Sequence, residues 1–254
     1  MRTILTANRQ SMGKWVAKQA ADCIRQAIKE NGSASIVVAT GSSQFEVLAA
    51  LVKQPRIDWS KVEGFHLDEY VGLSDDHPAS FCRYLRERFV TQVPLADFHY
   101  LRGDQDPQET IEQTGKQIQQ RSVDVALVGI GENAHLAFND PPADFQVTDP
   151  YILVQLDQAC RQQQVGEGWF DTIDDVPNQA ISMSIQQILK AKQIFCSVPD
   201  ERKANAVQLT LEGPIEPKTP ASILRWHHGT TFVSDRAAAS QLSRSTLDLM
   251  ERVK

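Results

Sequence analysis

The 254-residue sequence predicts an α/β fold: a doubly wound, mostly parallel sheet of Rossmann-like type. Three observations predict it. The short strand-like runs are apolar almost throughout, as in a sheet covered on both faces. Segments with helical spacing separate them, and right-handed crossovers then place helices on both sides. Chemistry-bearing polar residues follow three of the runs, after Ala39, Leu67 and Ile130, at the strand ends where such sheets bind ligands.

In chain order, residues 14–29 carry Trp15, Ala17, Ala20, Ala21, Ile24, Ala27 and Ile28 near helical spacing, an amphipathic helix ended by Asn31-Gly32. Residues 35–39 predict a strand, Thr40-Gly41-Ser42-Ser43 a turn, and Phe45–Leu51 a helix. Residues 62–67 predict a strand ending at Asp68-Glu69-Tyr70. Residues 78–89 predict a helix with Pro78 near its first turn. The clearest buried strand is 123–130. Further strands are expected at 151–156, Gln193–Val198 and 230–234, with a helix at 202–211. This pattern fits one domain over residues 1–254.

Composition narrows the function classes. A 41% hydrophobic share supports a sizeable core, and the net charge of -6 leaves no electrostatic footprint for nucleic acid. An anionic substrate must then be held by local groups. Cys23, Cys82, Cys160 and Cys196 are widely spaced, without the tight pairing of a disulfide framework or zinc site. There is no apolar leader, and no run approaches the roughly 18 apolar residues of a membrane span. A cytoplasmic protein with free thiols is expected, without membrane or nucleic-acid partners.

Three constellations carry chemistry. Thr40-Gly41-Ser42-Ser43 follows a strand and precedes a helix, where backbone N–H groups and the helix dipole favour a phosphate. The same residues serve equally as an ordinary helix cap, and the GK[ST] ending of a Walker loop is absent. Asp68 and Glu69 are adjacent carboxylates suited to acid/base work. On an extended segment they point in opposite directions, so only one can aim into a site; a solvated acidic turn is the alternative. Gly129-Ile130-Gly131-Glu132-Asn133-Ala134-His135 leads on to Asn139-Asp140-Pro141-Pro142. Its glycines permit close backbone approach. His135 is a proton carrier suited to neutral pH, and Asp140 can orient it if the chain curls back. A core or capping histidine is the other reading. His227-His228 lacks a carboxylate or cysteine at ligand spacing and predicts no metal site.

The segment GIGENAHLAFNDP resembles a signature of the glucosamine-6-phosphate deaminase/isomerase family. LDEYVGLSDDHPASF resembles a second one. ATGSS matches that family's phosphate loop, and Lys203, before AVQLTLEG, its phosphate-binding lysine. The matches run in family order from Thr40 to Gly213. The resemblance implies a Rossmann-like fold, no metal or organic cofactor, and a small sugar phosphate as the partner. It implies ring opening of an amino-sugar 6-phosphate, aldose–ketose isomerisation and loss of ammonia. Carried over, Asp68 moves a proton from the second carbon to the first, His135 assists ring opening, and Asp140 orients His135. Ser42, Ser43 and Lys203 hold the phosphate. Thr40, Gly41, Gly131 and Ala134 complete the expected substrate-binding set.

The chain departs from the pattern at named positions. Asn133 and Ala134 stand where these deaminases usually carry aspartate and glycine, and Asp140 stands for glutamate. Asn133, placed in the catalytic set, implies slower ring opening if that aspartate's charge matters. The phosphate-clamping arginine lacks a clean counterpart, and Arg161 is the residue assigned to it. Related enzymes are often oligomeric, so a homo-oligomer is within expectation. A 6-phosphogluconolactonase-type hydrolase, whose Gly-x-Gly-Glu-x-x-His turn Glu132 fits, is the enzymatic alternative. A non-catalytic sugar-phosphate sensor is the third reading.

Overall fold

The structure is a computed structural model and describes residues 1–253. Its strands are β1 (Arg2–Thr6), β2 (Ala34–Val38), β3 (Val62–His66), β4 (Asp68–Tyr70), β5 (Asp97–His99), β6 (Val125–Val128), β7 (Tyr151–Gln155), β8 (Gln179–Met183), β9 (Gln193–Val198), β10 (Thr230–Asp235) and β11 (Glu251–Val253). Its α-helices are α1 (Arg9–Asn31), α2 (Phe45–Leu51), α3 (Phe81–Arg88), α4 (Pro107–Gln119), α5 (Gln158–Gly166), α6 (Ile185–Ile188), α7 (Ala204–Glu212) and α8 (Arg244–Leu249). None of the described helices is long and apolar enough to cross a membrane.

Eight strands form one sheet in the order β11-β1-β10-β9-β6-β2-β3-β5, parallel at every pairing. The strands are apolar at successive positions because both faces are covered. Val37 packs into a core with Phe65, Ala126 and Ile194. Its neighbours Ile36 and Val38 point the other way, into a core with α1 residues such as Val16 and Ile24.

From β2 the chain moves outward through β3 and β5. It then crosses back to β6, β9 and β10 on the other side. The order therefore reverses between β2 and β6, and a crevice opens beyond their carboxyl ends. The loops at Thr40 and Gly129 both start there.

Two of the expected elements belong elsewhere. Asp68–Tyr70 is not a turn but β4, and the expected strand near 151–156 is β7. Both join β8 in a separate antiparallel sheet of order β4-β8-β7. The chain passes from β3 through Leu67 into β4, whose partner β8 also borrows the Leu67 carbonyl through Met183 N–H at 2.9 Å.

Helix ends follow capping chemistry. Asn8 accepts from Ser11 N–H at 2.9 Å, so α1 starts before residue 14; it stops at Gly32, whose φ of 79° suits glycine. The expected start of α3 at Pro78 is too early, because the Ser80 hydroxyl caps the helix by accepting from Arg83 N–H. Before α7 a tight turn, Glu201–Lys203, occupies the residues expected to be its first helical positions.

Glu69 fixes β4 to α3. Its carboxylate accepts from the N–H groups of Tyr70 (2.8 Å), Phe81 (3.2 Å) and Cys82 (2.7 Å) and from the Ser80 hydroxyl (2.9 Å), all in the dry interior. Glu69→Ala strands these donors and is expected to cost about 3 kcal/mol or more. Urea unfolding checks it: a loss below about 1 kcal/mol would contradict this anchoring role.

Candidate active site

The crevice at the switch point holds about 540 Å³ of empty space, part of it open to solvent. Thr40, Gly41, Ser42 and Ser43 line it together with Asp68, Gly129, His135 and Lys203, so four regions far apart in sequence converge.

The β2 loop turns sharply at Gly41, whose φ of 83° is the left-handed region glycine tolerates. Tyr84 Oη donates to the Gly41 carbonyl at 3.1 Å and Arg9 to the Ser42 carbonyl at 3.2 Å. Buried Gln44 donates to Ser43 Oγ and to the Val128 carbonyl, binding this loop to the end of β6. Gly129 makes room for it: a Cβ there would lie 2.4 Å from Ser43 Oγ.

Asp68 is 7% exposed and faces the cavity. Among the described residues, none donates a hydrogen bond to its carboxyl. Burial, reinforced by the neighbouring Glu69 charge, pushes its pKa up to about 8. The expected division of the two carboxylates holds, with Asp68 aimed at the cavity and Glu69 consumed by structure.

His135 lies across the cavity at the end of a compact turn. Its Nδ1 is 3.0 Å from Asp140 Oδ1, in contact but off the line of a hydrogen bond. The chain curls back as that pairing requires, through left-handed Ala134 (φ 65°) and Ala137 (φ 52°). The buried Asn139 amide supports the turn by donating to the Leu136 and Met183 carbonyls. Gly131 leaves the space the imidazole fills: a Cβ there would lie 2.3 Å from its Cε1. Burial alone would raise Asp140, but His135, the Asp157 N–H and the Asn133 amide together hold it below the usual carboxylate range.

Asn133 lies behind the histidine. Its Oδ1 accepts from His135 N–H at 3.0 Å, while its Nδ2 faces Asp140 Oδ1 at 3.2 Å and Asp157 Oδ2 at 3.4 Å. Asp157 is itself the cap of α5, accepting from Cys160 N–H. An amide fits between two carboxylates where a third carboxylate would be repelled, which gives a structural reason for Asn133.

At the far end Lys203 is presented by Asp200, a non-glycine residue at φ 86° and ψ 138° whose strain is held by its N–H to Asp235. Lys203 is 4% exposed, and burial holds its ammonium below the usual lysine range, with Glu167 opposing that fall. Glu167 Oε1 lies 3.7 Å from Lys203 Nζ.

Asn133, Asp140 and Gly131 thus stand behind His135, and Ala134 is buried in its turn; none of them lines the cavity wall. Arg161 is not brought to the cavity. It is half-buried, its guanidinium donating to the Ile173 carbonyl, and this corrects its assignment as phosphate clamp. Gln163, Gln164 and Glu167, from the same helix and its end, line the cavity in its place. They escaped notice because neutral amides and one glutamate among many carry no pattern; Asp157, six residues before Gln163, was the available cap signal.

A family model described as glucosamine-6-phosphate isomerases/6-phosphogluconolactonase matches residues 7–233. A glucosamine-6-phosphate deaminase of Exiguobacterium sp. is 37% identical over 242 residues, spanning 92% of this chain and 93% of its own. One from Streptococcus pneumoniae is 36% identical over 215 residues, spanning 84% and 89%. A solved structure of a monomeric glucosamine-6-phosphate deaminase superposes with a TM-score of 0.85 at 30% identity, over 94% of this chain and 99% of that one. A 6-phosphogluconolactonase from Trypanosoma brucei, at 17% identity over 95% of this chain and 98% of its own, shares the fold with a TM-score of 0.76.

Asn133→Asp is therefore expected to lower activity rather than restore it, by setting a third carboxylate against Asp140 and Asp157. A drop in kcat of roughly tenfold, with unchanged far-ultraviolet circular dichroism, is the expected result. Faster turnover in Asn133→Asp would contradict it.

Proposed function

We infer the reaction from two facts: the chain belongs to the glucosamine-6-phosphate isomerase/6-phosphogluconolactonase family, and one cavity joins a dry carboxyl, a carboxylate-backed histidine and a buried lysine. The chain is an enzyme that converts glucosamine 6-phosphate to fructose 6-phosphate and ammonia. The observation that carries this reading is Asp68, a carboxyl facing the cavity with no protein donor and a pKa near 8. A lactone hydrolase has no carbon-bound proton to move, whereas an aldose–ketose isomerase needs such a base.

The steps follow from the placement of the groups. Lys203 and the Ser42 and Ser43 hydroxyls hold the phosphate at the helix end of the cavity. That grip orients the sugar so that the reacting carbons meet Asp68. His135, backed by Asp140, takes the proton of the anomeric hydroxyl and returns one to the ring oxygen, which opens the ring. Asp68 then removes the proton on the second carbon, and the enolate oxygen takes a proton from the substrate's own ammonium group, giving an enolamine. Asp68 delivers its proton to the first carbon, giving a protonated ketimine at the second. Water adds to that carbon, one of its protons passes to the nitrogen, and ammonia leaves as the carbonyl forms and gives up the remaining proton. A base with its pKa near the working pH suits both directions of this transfer, because it gives the proton up as readily as it takes it. The free thiols of Cys23, Cys82, Cys160 and Cys196 fit a reducing, cytosolic setting.

The test is ammonia release from glucosamine 6-phosphate. Asp68→Asn and His135→Gln are each expected to lower kcat by roughly 10²–10⁴. Ammonia release by Asp68→Asn at the wild-type rate would contradict the assignment. Hydrolysis of a 6-phosphogluconolactone without any ammonia from the amino sugar would move the function to the hydrolase side of the family.

A further inference from the structure

We propose that Glu167 sets the phosphate affinity of the site, its carboxylate competing with the substrate's phosphate for Lys203. The proposal rests on the reading of Lys203 as the phosphate ligand. Among the described residues lining the cavity, Lys203 is the one lysine or arginine. It does not stand unopposed: Glu167 Oε1 is 3.7 Å away, and both side chains are 6% exposed. An incoming phosphate therefore meets a lysine whose charge is already answered. It must also approach a carboxylate of its own sign in a setting where water screens poorly.

Glu167 is placed there by partners of its own. Gln163 Nε2 donates to Oε1 at 2.8 Å and Trp169 Nε1 donates to Oε2 at 3.3 Å. Gln163 is itself tied to the His135 loop, since its Oε1 accepts from Glu132 N–H at 2.8 Å. Glycines flank the residue, Gly166 and Gly168, the latter at φ 80°, and neither has an atom within 4 Å of where a Cβ would stand. The backbone there can let Glu167 turn away from Lys203 when a phosphate takes over as counter-charge.

The consequence is kinetic. Substrate and product carry the same phosphate, so weakening its grip weakens both equally. It raises KM without lowering the rate of the chemical step, and it eases product release.

The test uses inorganic phosphate as the probe, titrated calorimetrically into the wild type, Glu167→Gln, Lys203→Met and the double variant. Glutamine keeps one acceptor oxygen, for Gln163 Nε2, gives up the longer bond from Trp169 Nε1, and removes the charge. Glu167→Gln is expected to bind phosphate roughly tenfold tighter and to lower KM for glucosamine 6-phosphate by a similar factor, with no rise in kcat. The gain should vanish in the double variant, which should behave as Lys203→Met. If Lys203→Met loses phosphate but Glu167→Gln gains none, the proposal fails and the phosphate reading stands. If Lys203→Met binds phosphate as the wild type does, the phosphate reading fails and the proposal with it. A Glu167→Gln gain that persists without Lys203 also overturns the proposal.

Discussion

Two adjacent carboxyl groups, Asp68 and Glu69, leave water together at the end of β3, and the surrounding structure depends on how that cost is met. Glu69 is met in large part, by backbone N–H groups and the Ser80 hydroxyl, although burial still raises its pKa, and so it locks β4 against α3. Asp68 receives no such compensation: nearly buried and facing the cavity, it has its pKa pushed up to about 8. The neutral form is thus favoured by the fold. The stability contribution of Asp68 is complete below the unfolded value of about 3.8 and is lost as the pH climbs through about 8. A fold that tolerates this arrangement gives up stability at neutral pH, and on the proposed reading it gains a base for taking a proton from carbon.

The small antiparallel sheet makes the arrangement possible. β8 lies opposite β4 with Ser182 facing Asp68 in register. The same Ser182 hydroxyl accepts from Phe138 N–H at 3.0 Å and from the Asn139 amide at 3.2 Å. One strand therefore fixes the position of Asp68 and of the His135 turn relative to each other. On the other side of the cavity the parallel sheet supplies Ser42 and Ser43, through the loop after β2, and Lys203, through the turn after β9. On the proposed reading the two ends of the substrate meet different sheets, joined at Leu67.

Much of this was legible in the sequence. The largely apolar runs of β2 and β6 pointed to a sheet covered on both faces, and the polar residues after β2, β3 and β6 marked the site edge. Alternation along an extended segment already separated Asp68 from Glu69. The small sheet was not legible, because β4 has three residues and reads as an acidic turn, while β8, Gln179–Met183, has neither a clean alternation nor an apolar run. α4 was hidden by its glutamines, with only Thr110, Thr114, Gly115 and Ile118 buried, although Asp106 and Pro107 were a valid start signal. Glu167 and the idleness of Arg161 were beyond sequence reasoning: which side of α5 meets the cavity is a matter of tertiary packing.

The central physical claim is that Asp68 is a carboxyl dry enough to hold its proton near neutral pH. Carbon-13 labelling of the aspartate carboxyls, with Asp68→Asn to identify the signal, measures this directly in a pH titration. A midpoint near 8 for the Asp68 carboxyl is the predicted result. A midpoint near the ordinary aspartate value of about 3.9 would mean that water reaches the group, and the base assigned to this reaction would have to be sought elsewhere in the cavity.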